Sequence, residues 1–266
     1  MAIKIWQRYF TQDYPSGSLL QAKGEDGVWL IQYGMRRPIT SKAALLSRFD
    51  PNNIIAVDAS QLTKYAAGSA IAFPNYALLQ SPKGTIYLIV NDQRRGIDSM
   101  ETFNAIGFNS DEIIPVSAED LEAYSEGKNI TIDSVYPDGH LLQDTSSGGV
   151  YFVQDGVKHA LISKSLLEVN FAGWRMHPTA PEVLAEYTTG GKVTFPDGTL
   201  IKSQDDSAVY VISEGQRRPI TSGDVFEAMG WKWEQIVVTD KKVIDLHPLG
   251  EAIAPPTIAD TEIASL

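Results

Sequence analysis

Apolar residues along this chain fall in short runs separated by Gly, Pro, Asp and Ser, and the runs recur at a fixed interval. Leu19-Leu20, Leu78-Leu79, Leu141-Leu142 and Leu200-Ile201 form a first run. After a variable polar tip comes a second: Val28-Trp29-Leu30-Ile31, Ile86-Tyr87-Leu88-Ile89, Val150-Tyr151-Phe152-Val153 and Val209-Tyr210-Val211-Ile212. β-Branched and aromatic residues bounded by turn formers predict strands joined by turns. A third strand begins at a cationic pair and ends at Ile39, Ile97, Leu161 or Ile220. Next stands a serine, Ser41, Ser99, Ser163 or Ser222, whose hydroxyl can accept from the free N–H groups of a first helical turn. Leu45, Phe103, Leu167 and Phe226 follow four residues later on that helix, and Gly107 and Gly230 stop it in the second and fourth copies.

Each copy opens on an aromatic-proline pair, at Tyr14-Pro15, Phe73-Pro74, Tyr136-Pro137 and Phe195-Pro196. It closes on a short strand (Ile54-Ile55, Ile113-Ile114, Ile236-Val237, with Met176 the nearest counterpart) and a helical turn carrying Leu62, Leu121, Leu184 or Ile244. Tyr65, Tyr124, Tyr187 and His247 come next, then Gly68, Gly127, Gly190 and Gly250. The chain is therefore four copies of one unit of about sixty residues. Residues 1–13 are a strand extension, 14–72, 73–135, 136–194 and 195–254 the repeats, and 255–266 the stub of a fifth, all in one domain.

A unit this small cannot bury its own apolar face, so the copies must pack on one another. The fold expected is mainly β with short helices, a four-bladed β-propeller-like ring of the four repeats; an open repeat array is the alternative. Ala254-Pro255-Pro256 echoes Ala72-Phe73-Pro74, so the stub is expected to add a strand to the first copy, or Ile3–Phe10 to pair with the last. Either would close the ring.

The run Phe195-Pro196-Asp197-Gly198-Thr199-Leu200-Ile201, then Val209–Ile212, then Gly215-Gln216-Arg217-Arg218-Pro219-Ile220, resembles tandem repeats of bacterial envelope and secreted proteins. Those repeats often accompany cell-wall or polysaccharide enzymes. In layout alone, four blades with a trailing helix are similar to the hemopexin-type propeller. Neither resemblance brings catalytic residues, and fold analogy says little about a ligand.

Charge narrows the partners. A net charge of −11 in 266 residues argues against nucleic acid, which needs a basic face. No apolar run is long enough to span a membrane, so no membrane insertion is expected. The N-terminus lacks the charged and apolar regions of a signal peptide, and there is no cysteine. The family resemblance implies an extracellular or cell-envelope setting, with the cytoplasm as the alternative.

Candidate chemistry is sparse. The pairs Arg36-Arg37, Arg94-Arg95, Lys158-His159 and Arg217-Arg218 form a repeated cationic site suited to a carboxylate, phosphate or acidic sugar, or else they bond carbonyls and acidic side chains between blades. Trp174, Trp231 and Trp233 follow the helices, where surface loops would let them stack on sugars. The column Trp29, Tyr87, Tyr151 and Tyr210 reads better as packing. Asp138 and Asp197 are turn formers rather than a calcium site, since Ser16 and Asn75 take their place elsewhere. His140, His159, His177 and His247 occupy different columns and lack metal-ligand spacing. With no nucleophile elbow and no phosphate-cradling loop, neither enzyme activity nor a cofactor is expected. Phe171-Ala172-Gly173-Trp174-Arg175-Met176-His177-Pro178 reads as a lengthened helix exit and breaks the symmetry, which makes it the first place to seek an asymmetric site.

The expectation is a non-catalytic binding module for a glycan or a protein partner. A structural module forming homo-oligomers or filaments is the alternative, and a polysaccharide hydrolase the second alternative.

Overall fold

The computed structural model describes residues 5–11, 13–253 and 257–263. The chain is mainly β, with four sheets of four or five strands, one per repeat. First strands are Leu19–Ala22, Leu78–Gln80, His140–Asp144 and Leu200–Ser203; second strands are Val28–Gln32, Ile86–Val90, Val150–Gln154 and Val209–Ser213. Third strands are Met35–Ile39, Gln93–Gly96, Val157–Leu161 and Gln216–Pro219. These three form an antiparallel meander, because a two-residue turn joins the second to the third. Tyr33-Gly34, Asn91-Asp92, Asp155-Gly156 and Glu214-Gly215 all take positive φ at both positions, the turn whose twist matches that of a hairpin.

The serines do what their spacing predicts. Ser41, Ser99, Ser163 and Ser222 accept from the backbone N–H of Ala44, Thr102, Leu166 and Val225 and start the helices Lys42–Arg48, Met100–Ile106, Lys164–Asn170 and Gly223–Ala228. Each helix carries the chain across to the far edge of the sheet. There the fourth strand (Ile54–Val57, Ile113–Pro115, Met176–Thr179, Val237–Thr239) pairs in parallel with the first. First strands are thus flanked on both sides, which is why Leu20, Leu79, Leu141 and Ile201 are fully buried. A short helix returns the chain to the third strand, where two residues pair in parallel with it: Ala66–Ala67, Ser125–Glu126 and Thr188–Thr189. In the fourth repeat this is only a bridge, Arg217 to Leu249. This fifth strand was not expected, being too short to leave a pattern.

The third repeat departs from expectation too. Its helix exit is not lengthened: Ser163 and Met176 are thirteen positions apart, as are Ser41 and Ile54, against fourteen for Ser99–Ile113 and Ser222–Ile236. It also lacks the 3-10 turn that the other repeats carry there, at Pro51–Asn53, Ser110–Glu112 and Trp233–Gln235.

Two compact units divide the chain. One holds residues up to 37, 52–68 and the chain from 196, that is, the sheets of repeats 1 and 4. Leu20, Ile31, Ile55, Leu62, Leu200, Val211, Phe226, Met229 and Trp231 share one core there. Its two opening turns meet backbone to backbone: a Cβ on Gly17 would lie 2.2 Å from the carbonyl carbon of Asp197, and one on Gly198 would lie 2.5 Å from the Gly17 oxygen. Ser16 Oγ, beside this contact, donates to Glu214 Oε1 at 3.0 Å. The terminal strands lie in the same unit, but they pair with each other rather than with the first or last copy. Ile5–Thr11 runs antiparallel to Thr257–Ile263, from Ile5↔Ile263 to Thr11↔Thr257. Ala254–Pro256, on which the expected fifth copy was to begin, lie outside the described residues.

The other unit holds residues 38–51 and 69–195: repeats 2 and 3 with the main helix of repeat 1. Phe103 is buried against Leu78, Ile86, Leu88, Ile97 and Ile130 on one face of the second sheet, and Leu79, Ile89, Leu121 and Tyr124 pack on the other. Leu142, Val153 and Leu184 form the matching cluster of the third repeat.

Candidate functional site

The cationic pairs sit on the third strand of each repeat, beside the end of the short helix. A helix that short leaves its last carbonyls without intrahelical partners, and a nearby cation satisfies them. Arg94 Nη1 donates to the Leu121 carbonyl at 2.6 Å, Lys158 Nζ to Leu184 at 2.6 Å, and Arg217 Nη1 to Ile244 at 3.1 Å and also to His247. The second member of each pair reaches further along the chain. Arg95 Nε donates to Lys128, Arg218 Nε to Glu251, and His159 Nδ1 lies 2.8 Å from the Gly191 oxygen. Arg37 is buried with Nη1 on Gln32 Oε1 at 2.7 Å. Arg95 also crosses to the next repeat, with Nη2 2.7 Å from Asp155 Oδ1.

Above the first cation lies the aromatic column of the second strand, half-buried in every repeat. In repeats 1 and 2 the guanidinium covers the ring: the Arg36 carbon is 5.0 Å from the Trp29 centroid and that of Arg94 is 6.0 Å from Tyr87. In repeat 4 Arg217 pairs with Asp245 at 3.2 Å, as Arg94 does with Glu126 at 3.1 Å, and a cavity of about 280 Å³ opens beside Tyr210. Ser203 at the end of the first strand and Asp205 and Asp206 of the hairpin tip line it, with Arg217, Lys241, Ile244 and Asp245. The hydrogen bond from Lys241, with the Arg217 charge, holds the Asp245 carboxyl below the usual carboxylate range. The cavity therefore offers one aromatic ring among three carboxylates and two cations.

The three tryptophans part company. Trp231 does not reach the surface; it is 8% exposed, in the core shared with Phe226, because Gly230 turns the chain inward beside Ile55. Trp233 is 50% exposed and stacks on Phe226 with centroids 4.1 Å apart. Trp174, 36% exposed, packs edge-on against Phe171, Tyr76 and Phe152. Neither belongs to the Tyr210 cavity, and the structure does not bring the eleven expected site residues together at one place.

The histidines, scattered by column, are partly gathered. Because fourth and first strands pair in parallel, with Leu142 opposite His177, the His140 and His177 rings lie 5.5 Å apart. His140 also stacks on Tyr136 at 4.1 Å, and Asp138 Oδ1 is 3.9 Å from its Nε2. Burial lowers the His140 pKa, opposed by Asp138 and reinforced by His177. Tyr187, hydrogen-bonded to Tyr136, is pushed up to about 12, chiefly by burial. Only the parallel pairing reveals this cluster, which no spacing in the sequence announces. Among the described residues no group of three or more histidines and carboxylates could hold a metal ion, and no helix is long and apolar enough to cross a membrane.

No protein-family profile matches the chain, and no curated protein matches it. Among solved structures, the periplasmic assembly from the ESX-5 inner membrane complex is 10% identical, over 93% of this chain and 97% of that one, with a TM-score of 0.21. An intact ESX-5 inner membrane complex is 12% identical over 97% of this chain and 62% of that one, with a TM-score of 0.20. The EccB3 dimer from the ESX-3 core complex is 11% identical over 68% of this chain and 66% of that one, with a TM-score of 0.21. Likeness at this level carries no argument about fold or function.

Proposed function

We propose that the protein is a non-catalytic, repeat-built binding module that takes a saccharide in the Tyr210 cavity of its fourth repeat. One observation carries this reading: a half-buried aromatic ring, Tyr210, borders a cavity of about 280 Å³ lined by Asp205, Asp206, Asp245, Arg217 and Lys241. The apolar face of a sugar ring stacks on an aromatic side chain, while its hydroxyls need donors and acceptors of both kinds close by. The equivalent rings in repeats 1 and 2 lie under arginine, whereas Tyr210 borders the cavity, so the fourth repeat is the favoured site. An envelope or extracellular setting, where glycans are the abundant polymer, belongs to the same reading. So does a four-bladed ring, which the recurrence of one similar sheet in each repeat supports.

A glycan array probed with the whole chain and with Tyr210→Ala tests the site. Binding to a defined glycan set that Tyr210→Ala abolishes, while thermal stability is kept, is the expected result. No binding to any glycan, or binding indifferent to Tyr210, overturns it. Small-angle scattering tests the ring, which requires the radius of gyration of one compact body; an elongated profile overturns it.

A second reading, assembly into oligomers, rests on the fourth strands, which are sheet edges exposing Ile114, Met176 and Val238. Concentration-dependent association in sedimentation runs would favour it, and a monomer at all concentrations would remove it.

A further inference from the structure

The third repeat holds a second cavity, of about 360 Å³, between its main helix, its hairpin tip and its fourth strand. Val150, Leu161, Leu167 and Met176 line it. The same four columns are Ile86, Ile97, Phe103 and Ile113 in the second repeat and Val209, Ile220, Phe226 and Ile236 in the fourth, where they pack into closed cores. Repeats 2 and 4 carry an aromatic ring in the helix column, where repeats 1 and 3 carry leucine, Leu45 and Leu167. Phe103 and Phe226 are fully buried, and each is backed by another ring, Phe108 at 5.5 Å and Trp233 at 4.1 Å. At this position the third repeat has Leu167. The aromatics of its helix exit turn elsewhere: Phe171 stacks on Phe152 at 4.9 Å, and Trp174 packs on both. Space that a phenyl ring fills twice in this molecule is left open here.

The lining also has a charge. In a chain of net −11, it contains no carboxylate and one cation, Lys164, whose exposed Nζ is shared with Glu168 at 2.6 Å. Gln143 and Ser163 complete the polar part. At about 360 Å³ the hollow has room for a benzene-sized ring.

We infer that this cavity binds a small aromatic acid, its ring in the place Phe103 and Phe226 take in the sibling repeats and its carboxylate towards Lys164. The inference is independent of the saccharide reading, since it concerns another repeat and another chemistry.

Titration of phenylacetate into the whole chain, followed by methyl NMR, tests it. Saturable shifts confined to Val150, Leu161, Ile162, Leu167 and Met176 are expected. Leu167→Phe restores the sibling residue; it should weaken binding about tenfold or more without lowering the melting temperature. Should that variant unfold, Val150→Phe fills the space from the sheet side and is read in the same way. Lys164→Gln should weaken phenylacetate binding and leave toluene binding unchanged. Absence of saturable shifts, equal affinity in a folded filled variant, or equal phenylacetate affinity in Lys164→Gln overturns the proposal.

Discussion

Arg95 and Asp155 are joined by two parallel hydrogen bonds, Nη1 to Oδ2 at 3.0 Å and Nη2 to Oδ1 at 2.7 Å, from the third strand of one repeat to the hairpin turn of the next. Asp155 occupies the first position of a turn that demands positive φ, which aspartate tolerates better than most residues. The same geometry that closes the hairpin therefore presents an acid to the neighbouring repeat. Arg95 is only 4% exposed and also bonds the carbonyls of Pro137 and Lys128, so its removal leaves the Asp155 carboxylate without this partner. Arg95→Ala should cost about 3–5 kcal/mol and Asp155→Asn somewhat less, as read by urea denaturation. A loss under about 1 kcal/mol for Arg95→Ala would mean that the pair does not join the repeats.

Gly17 has φ +96 and faces the backbone of Asp197 with no room for a Cβ, whereas Gly34 has φ +71 and nothing within 4 Å. Gly34→Ala should cost about 1–2 kcal/mol, the strain of a left-handed alanine alone. Gly17→Ala must also part the two turns and should cost clearly more. Equal melting temperatures for the two variants would refute the close approach.

Stability should fall with acidity. His247 is buried with Nδ1 2.9 Å from the Gly215 oxygen, and burial lowers its pKa despite that bond and the Asp197 charge, with Arg217 lowering it further. His140 shifts in the same direction. A histidine whose pKa drops on folding leaves the unfolded chain holding more protons. Its contribution is thus complete above the ordinary imidazole pKa of about 6.5 and declines as pH falls below that value. The melting temperature should drop between pH 7.5 and 5 more steeply for the native chain than for a folded His140→Gln, His247→Gln double variant. Parallel pH profiles would show that other groups govern the acid limb.

Ser222 begins its helix by accepting the Val225 N–H at 3.2 Å. Ser222→Ala should cost about 1 kcal/mol and Ser222→Asp nearly nothing, because aspartate caps as well as serine. Chemical denaturation of the two variants checks the order, and an Asp variant as unstable as Ala would argue against the cap.

Much of this architecture was legible because it is local. Strands, hairpin turns and serine caps are set by residues within a few positions of one another, and fourfold repetition multiplies each signal. The two-residue fifth strands escaped because they are too brief to impose a period. The cationic pairs could be read as ligand sites or as inter-repeat bonds; no spacing shows that Arg94 and Arg217 meet helix carbonyls more than twenty residues away.

What the chain determined by itself is the unit: four copies, mainly β, each begun at an aromatic-proline turn and capped by a serine. Tertiary structure alone decided which edge the fourth strand joins, that the terminal strands pair with each other, and that Trp231 is buried while Trp233 is not. It also decided that His140 and His177 are neighbours and that Tyr210 borders a cavity where Trp29 and Tyr87 lie under arginine. The physical reason is the same throughout. Hydrophobic burial is non-directional, so an apolar pattern says that a face must be covered but not by which distant segment.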